Sequence, residues 1–600
     1  GKINCCVKGA NDQTRDNTKE VKDKSAEDLS YVGKAAYNIL RTKHAWHHHK
    51  LWNVTSGKVI GSLHQTPKAE IFRTSEDPKE RHDDWFPQEM YKIMVRTQSF
   101  CDIMSLGPPD GLFLEKLQEG LKEIAQNAKS SETPVIVRFL MGNIIGMPVN
   151  CNKLIKTLAK KIPAGSNIHL WVGSWRKGAS WNHAKLIAVD GRYLHTGGHN
   201  LWDHHYLKGN PVHDLSVEME GRVTHDAHLY ANSHWAFICK KQSTFIGQIA
   251  EKIPDGLPLV WKNRVIVSEY PRGRANEFPP NYQTDLAPQY NKPEDSVPII
   301  SVGRNGRLTF RHRPADDAFI QMFDAAKKII RMSLQDIGPV CVPKTKIALP
   351  GLTWPKPYLD ALARAINRGV DVEIILSNPG SIPSNLTILD AQYGNGWSCV
   401  DCAAEIIKRI KKKDPSELRK MVTKHLRISY IRHNKSRTYK DGRTIGNHSK
   451  FFIIDDIAAY IGSQNLYLAD LAEWGVIVDD KDKTGEMIED FWNPLWEASY
   501  DAEDCDVGKV IDGLNINRDG ERINMLTPEG RKQMENNIKM GAPANGRMDF
   551  LFEERVQEKS RQVDIASNLT PPEAIEVTRI MSEVPETGNR QDDQLPPETN

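Results

Sequence analysis

The chain has 600 residues, 39% hydrophobic and 26% charged, with a formal net charge of only +3. That length exceeds one ordinary core and calls for two or more domains, and the near balance of charge excludes a uniformly basic nucleic-acid coat. No apolar run reaches the length of a membrane span, the first thirty residues carry no signal-peptide core, and nine scattered cysteines argue against a disulfide framework.

Residues 1–34 read as a polar N-terminal segment that begins GKINCC. Gly1 is a candidate for myristoylation and Cys5 and Cys6 for palmitoylation, since two acyl chains anchor stably where one does not; the acylation pattern prefers Ser or Thr where Cys5 stands. The expected location is cytoplasmic with peripheral membrane association, secretion being the alternative. The sequence HAWHHHK, from His44 to Lys50, reads as a solvated loop rather than a metal site.

The first half, residues 35–253, alternates elements: a strand in TQSFCDIMSL, a helix in FLEKLQEGLKEIAQNA, a strand in PVIVRFLMG, a helix in KLIKTLAKKI, a strand in IHLWVGS and a hairpin over 181–200. Residues 254–300 hold eight prolines and read as a connection. The second half, 301–512, repeats the order in KKIIRMSLQ, YLDALARAINRG, VDVEIILSN, AAEIIKRIKKK, LRISYI and a hairpin over 446–465. Residues 513–600 read as a polar, mostly disordered tail. Alternating strands and helices, duplicated over some two hundred residues, predict an α/β fold of two similar domains. Cys399 and Cys402 form a lone CxxC without a second pair at zinc spacing, so neither a metal nor a redox role is assigned to them.

The hairpins, WNHAKLIAVDGRYLHTGGHN and GNHSKFFIIDDIAAYIGSQN, share the pattern H-x-K-x4-D-x6-G-(G/S)-x-N. In the first copy these are His183, Lys185, Asp190, Gly197, Gly198 and Asn200; in the second, His448, Lys450, Asp455, Gly462, Ser463 and Asn465. Side chains alternate along a strand, so each His and Lys share a face. Small residues admit a ligand to the backbone, and an amide can donate to an oxyanion. Asp190 and Asp455 suit the turns and are expected to fix them by hydrogen bonds. Two copies facing each other supply what a phosphodiester needs. Two lysines and two asparagines hold the non-bridging oxygens, one neutral imidazole attacks phosphorus, and the other donates a proton to the leaving alcohol. No metal or cofactor is required, because the lysines supply the positive charge. A nucleophilic imidazole also needs its second nitrogen held, and Asp214 and Glu473, each opening a strand-like run downstream of a hairpin, are the expected orienting partners.

The paired motifs resemble the HKD signature of the phospholipase D superfamily, over about residues 35–510. GGHNLWDHHYL, NPVHDLS and YIGSQNLYLADLAEWGVIV are similar to the bacterial and fungal phosphatidylcholine-cleaving branch. The resemblance implies two α/β/α domains related by a pseudo-twofold, with one active site at their interface. It implies hydrolysis of phospholipid to phosphatidic acid and a head-group alcohol, with transphosphatidylation as a side activity. It implies His183 as nucleophile and His448 as acid, and a head-group pocket lined by aromatics at the place of Trp202 and Tyr206, for which plain packing beside the motif is the equal alternative. Gly198 departs from the common Gly-Ser pattern.

Trp171, Trp175 and Trp181 are expected in the core or interface loops. Residues 408–443 carry fourteen Lys/Arg against three Asp/Glu. This run reads first as solvated helix faces and a loop, with an anionic partner as the other reading. The expected partner is a phospholipid membrane surface. Nucleic acid is less favoured, and no feature calls for an obligate protein partner. The competing functions are a metal-independent nuclease, a phosphatidyltransferase of the phosphatidylserine or cardiolipin synthase type, and an inactive duplicated scaffold, which would need none of the His, Lys and Asn residues that both copies retain.

Overall fold

The computed structural model describes residues 26–514, apart from 74–84, 129–130, 145–147, 179, 208–210, 255–263, 268–277, 284–291, 307–312, 340–352, 380, 382–396, 412–413 and 468–470, together with 528, 529 and 532. The candidate acylation sites Gly1, Cys5 and Cys6, and nearly all of the tail, lie outside the described residues.

Each half builds a mixed sheet with one strand order. In the first, Phe100–Ser105, Val135–Gly142 and Ile168–Lys177 run parallel, and Leu186–Val189, Tyr193–Gly197 and Asp214–Glu220 add antiparallel on the other side of Phe100–Ser105. In the second, Ile329–Leu334, Asp371–Leu376 and Leu426–Tyr430 are the parallel set, extended by Lys450–Ile454, Ala458–Gly462 and Ala472–Val478. Central strands such as LIAV and FFII are buried along their whole length, as continuous apolar runs demand when both faces of a sheet are covered.

Helices cover the outer face of each sheet. Gly111–Asn127 places Phe113, Leu117, Leu121 and Ile124 against the first sheet at helical spacing. Lys356–Asn367 does the same in the second half with Leu359, Leu362 and Ile366. A third core joins the halves: Trp171, Trp175, Trp235, Ile453, Trp474 and Trp492 meet between the inner faces of the two sheets.

The expected boundaries need correcting at three places. The helix Tyr31–Lys43, counted mostly with the first half, packs Val32, Ala36 and Leu40 into the outer core of the second, beside Phe319. The stretch 254–300 is more than a connection, because Arg264–Val267 pairs with Ile168–Lys177 and the strand Val297–Asn305 begins inside it. The helix expected over 403–413 lies earlier, at Cys399–Ile407, where Ser398 and Asp401 form a capping box, and a separate helix Pro415–His425 follows. One strand, Trp52–Val59, belongs to both sheets: its first residues pair with Val297–Asn305 and its last two with Asp214–Glu220.

Candidate active site

Both motif histidines precede the buried strands, where the chain leaves its own sheet and crosses to the other half. Asn182 and Asn447 fix this departure. Asn182 Nδ2 donates to the Ser105 carbonyl at 2.9 Å, and its Oδ1 accepts from the Ala184 amide at 3.2 Å. Asn447 Nδ2 donates to Ser333 Oγ at 3.0 Å and the Leu334 carbonyl at 3.2 Å, and its Oδ1 accepts from the Ser449 amide at 3.2 Å. The His183 amide then donates to the Ala472 carbonyl at 2.8 Å, and the His448 amide to the His213 carbonyl at 2.7 Å. Ala472 and His213 stand immediately before Glu473 and Asp214. Backbone pairing therefore presents each carboxylate to the histidine of the opposite half.

The contacts follow that crossing. His183 Nδ1 lies 2.9 Å from Glu473 Oε1, and His448 Nδ1 lies 2.6 Å from Asp214 Oδ2. A carboxylate on Nδ1 fixes the Nδ1–H tautomer and leaves the Nε2 lone pair for chemistry. Lys185 Nζ donates to the His183 carbonyl and Lys450 Nζ to the His448 carbonyl. All six side chains are buried.

Burial sets the charge states. It lowers His183 to about 4, against the opposing pull of Glu473, and holds His448 well below its ordinary value, with Lys450 acting in the same direction. Burial also brings Lys185 down to about 7 and Lys450 to about 8. For the carboxylates burial acts upward, yet His448 and Lys450 hold Asp214 well below the usual range, and His183 and Arg304 hold Glu473 below it. Burial thus favours the neutral form of both imidazoles, and the surrounding positive groups favour the charged form of both carboxylates.

The remaining expected residues divide. Asn200 and Asn465 are buried, and the Oδ1 of each finds no partner among the described residues, while Asn465 Nδ2 donates to Tyr467 Oη at 2.8 Å. Gly198 and Ser463, expected to bind substrate, lie against the carboxylates. Ser463 Oγ donates to Glu473 Oε2. At Gly198 a Cβ would stand 2.0 Å from Asp214 Oδ1, which explains why this copy has glycine where the other has serine. Tyr206 supplies the missing hydroxyl: it donates to Asp214 Oδ2 at 3.0 Å and accepts from the Asn200 amide at 3.0 Å. Its ring is buried against Phe113 and His199 and its hydroxyl supports Asp214, which agrees with the packing alternative for this residue. Trp202 donates from Nε1 to the Pro108 carbonyl at 2.9 Å and stands edge-on to His205, whose ring lies 6.4 Å from that of His448.

The sequence reading passed over Asn182 and Asn447, although both copies read N-H-x-K. It also passed over the residues before Asn200 and Asn465. His199 bonds Thr66 Oγ1 and Ser216 Oγ, both at 2.7 Å, and Gln464 Nε2 donates to Asp316 at 3.1 Å, so each pins its glycine loop.

Away from this site, His64, Glu89 and Glu218 bring metal-capable atoms within 4.8 Å of one another. Lys92 already pairs with Glu89 at 2.6 Å and Arg96 with Glu218 at 3.2 Å. In the basic run, Arg409 pairs with Glu405, Arg427 with Glu373 and Arg432 with Asp504, which draws part of its charge into the fold.

Comparison with known proteins gives the following. Residues 319–496 match the family model described as cardiolipin synthase, PLD-like domain. A phospholipase D of Streptomyces antibioticus is 25% identical over 463 residues, covering 69% of this chain and 77% of that one. Among solved structures, phosphatidylserine synthase of Haemophilus influenzae Rd KW20 aligns with a TM-score of 0.44 at 11% identity, over 87% of this chain and all of that one. Nuc of Salmonella typhimurium, a phospholipase D family member, aligns with a TM-score of 0.19 at 18% identity, over 30% of this chain and 86% of that one.

Proposed function

The chain belongs to the phospholipase D superfamily, and we propose that within it this protein cleaves the distal phosphodiester of phosphatidylcholine-like phospholipids. The observation that carries this reading is the doubled, crossed pair: two buried imidazoles, each oriented by a carboxylate from the other half, with Lys185 and Lys450 close enough to act on both.

His183 Nε2 attacks phosphorus and the bond to the head-group oxygen breaks. His448 gives that oxygen a proton, and the head-group alcohol leaves. Water then loses a proton to His448 and attacks phosphorus, the P–N bond breaks, and phosphatidic acid departs with His183 regenerated. Lys185 and Lys450 offset the charge on the non-bridging oxygens, with Asn200 and Asn465 beside them. Because burial favours the neutral form of His448 in the protein alone, it takes up its proton as the anionic phosphodiester enters. Asp214 at 2.6 Å steadies the resulting imidazolium. Binding of a non-hydrolysable phosphodiester is therefore expected to draw protons from solution, which calorimetry in buffers of different ionisation enthalpy measures; proton release would count against this assignment.

The direct test offers phosphatidylcholine vesicles with EDTA and ethanol present. Phosphatidic acid and phosphatidylethanol together are the expected products, since a phosphatidyl-enzyme partitions between water and alcohol. Neither product, with cleavage of single-stranded DNA in parallel, would move the chain to the nucleases. A second reading, transfer of the phosphatidyl group to a biological alcohol, is favoured by the description of the matching family model. Serine or phosphatidylglycerol supplied as acceptor separates the two: a transferase makes the exchanged lipid in preference to phosphatidic acid.

A further inference from the structure

We propose that the helix Phe245–Glu251 and the turn after it form a membrane-docking face that seats the active-site end of the molecule on an anionic phospholipid surface. This rests on the reading of the site as a phospholipid-cleaving one.

The helix is built inside out. Phe245 is 76% exposed, Ile246 78%, Ile249 49% and Ile253, just beyond it, 36%. Its small residues face the protein instead. Ala250 is half-buried, and a Cβ at Gly247 would stand 2.2 Å from the Lys241 carbonyl. A helix folding only to cover the core would turn its large apolar residues inward. The element is nevertheless well formed, since Thr244 caps it by accepting from the Gly247 amide at 3.1 Å. Among the described residues the other large hydrophobic side chain so exposed is Trp46, at 82%.

Position and charge select the occupant. The long helix Val223–Gln242 starts at the end of the sheet farthest from the catalytic histidines, where His225 and His228 meet the turn glycine Gly191. It ends beside Trp175 and Phe237, at the end of the strand Ile168–Lys177 that leads through Trp181 into His183. The helix Phe245–Glu251 follows directly, so it projects at the catalytic end. Trp46 stands at the same end, because the Leu51 carbonyl accepts from Gly303, and the strand of Gly303 finishes with Asn305 opposite Ala472. Lys177, Lys240, Lys241 and Lys252 are exposed around the helix, whose one acid is Glu251. The ammonium groups of Lys241 and Lys177 lie 5.7 and 5.9 Å from the Phe237 ring. Apolar side chains rimmed by lysines match the acyl boundary and head-group layer of an anionic bilayer.

The test uses the full chain with sucrose-loaded vesicles of phosphatidylcholine, with and without phosphatidylglycerol, and in parallel a short-chain phosphatidylcholine kept monomeric. Phe245→Ser/Ile246→Ser/Ile249→Ser is expected to bind vesicles on the order of 100-fold more weakly and to lose vesicle turnover in proportion, while cleaving the monomeric lipid as before. Lys240→Glu/Lys241→Glu, which leaves the apolar face intact, is expected to lose only the gain that phosphatidylglycerol provides. The proposal is overturned if the triple variant sediments with vesicles like the parent chain. It is equally overturned if the parent chain ignores vesicles and self-associates through this face in a way that the triple variant abolishes. Patch-dependent vesicle binding without turnover of either lipid would reject the phospholipid-cleaving reading while leaving the docking face standing.

Discussion

His183 and His448 differ in their surroundings more than their shared motif suggests. Glu473 grips His183 with both oxygens, at 2.9 and 3.0 Å, and is itself held by Ser463. Asp214 meets His448 through one oxygen and is held by Tyr206. Replacing either histidine by alanine is expected to lower turnover by about 10⁴-fold or more, because the two act as a unit. Glu473→Gln keeps the shape but removes the charge that raises His183, so kcat should fall by roughly 10²- to 10⁴-fold with little change in KM. The acid limb of its pH profile should move to lower pH; an unmoved limb would separate Glu473 from His183. For the parent enzyme, kcat/KM should fall below about pH 4 as His183 becomes protonated. It should fall again as pH rises and the proton that His448 must take up becomes scarcer, with a further loss above about 7 to 8 as Lys185 and Lys450 lose their charge. The histidines and lysines were legible because they repeat at fixed spacing. The carboxylates were legible as a residue type, but sequence distance carries no sign that each would serve the other half. Tyr206 stayed open between pocket wall and packing, because an aromatic beside a motif suits both until its hydroxyl is seen bonding Asp214.

The motif aspartates explain the hairpins as elements. Asp190 and Asp455 sit at φ of 52° and 53°, in the left-handed region that a tight turn needs. Their carboxylates do more than close the turn. Asp190 accepts from the amides of Gln98, Ser99 and Phe100 at 2.7 to 2.9 Å, and Asp455 from those of Lys327, Lys328 and Ile329 at 2.7 to 2.9 Å. Each thereby ties the hairpin to the entry of the first parallel strand of its sheet. Asp190→Ala or Asp455→Ala is expected to cost about 3 kcal/mol or more in stability, since three amides lose their acceptor. Turnover per folded molecule should be kept; chemical denaturation and titrated active sites check the two parts. The turn could be read from Asp-Gly and Asp-Asp. The reach to a strand some ninety or more residues earlier could not, because nothing local records it.

At the scale of the molecule the duplication makes the halves interdependent. The strand Trp52–Val59 belongs to both sheets, the helix Tyr31–Lys43 closes the outer core of the second half, and each histidine depends on the opposite half for its carboxylate. A fragment ending before the second half should therefore show no turnover even where it stays soluble, and activity in such a fragment would contradict a composite site. Fold class followed from the alternation of elements. The exchange of pieces between halves did not, because it rests on pairings between residues far apart in the chain.

The most direct measurement is a base-quenched reaction of labelled phosphatidylcholine with the parent chain and with His448→Asn, followed by peptide mass analysis. The account predicts a phosphatidyl group bonded to nitrogen on the peptide carrying His183 in the parent chain, and much slower formation of it in the variant, which lacks the proton donor to the leaving alcohol. An adduct on His448 in the parent chain, or turnover of phospholipid without any adduct, would contradict it.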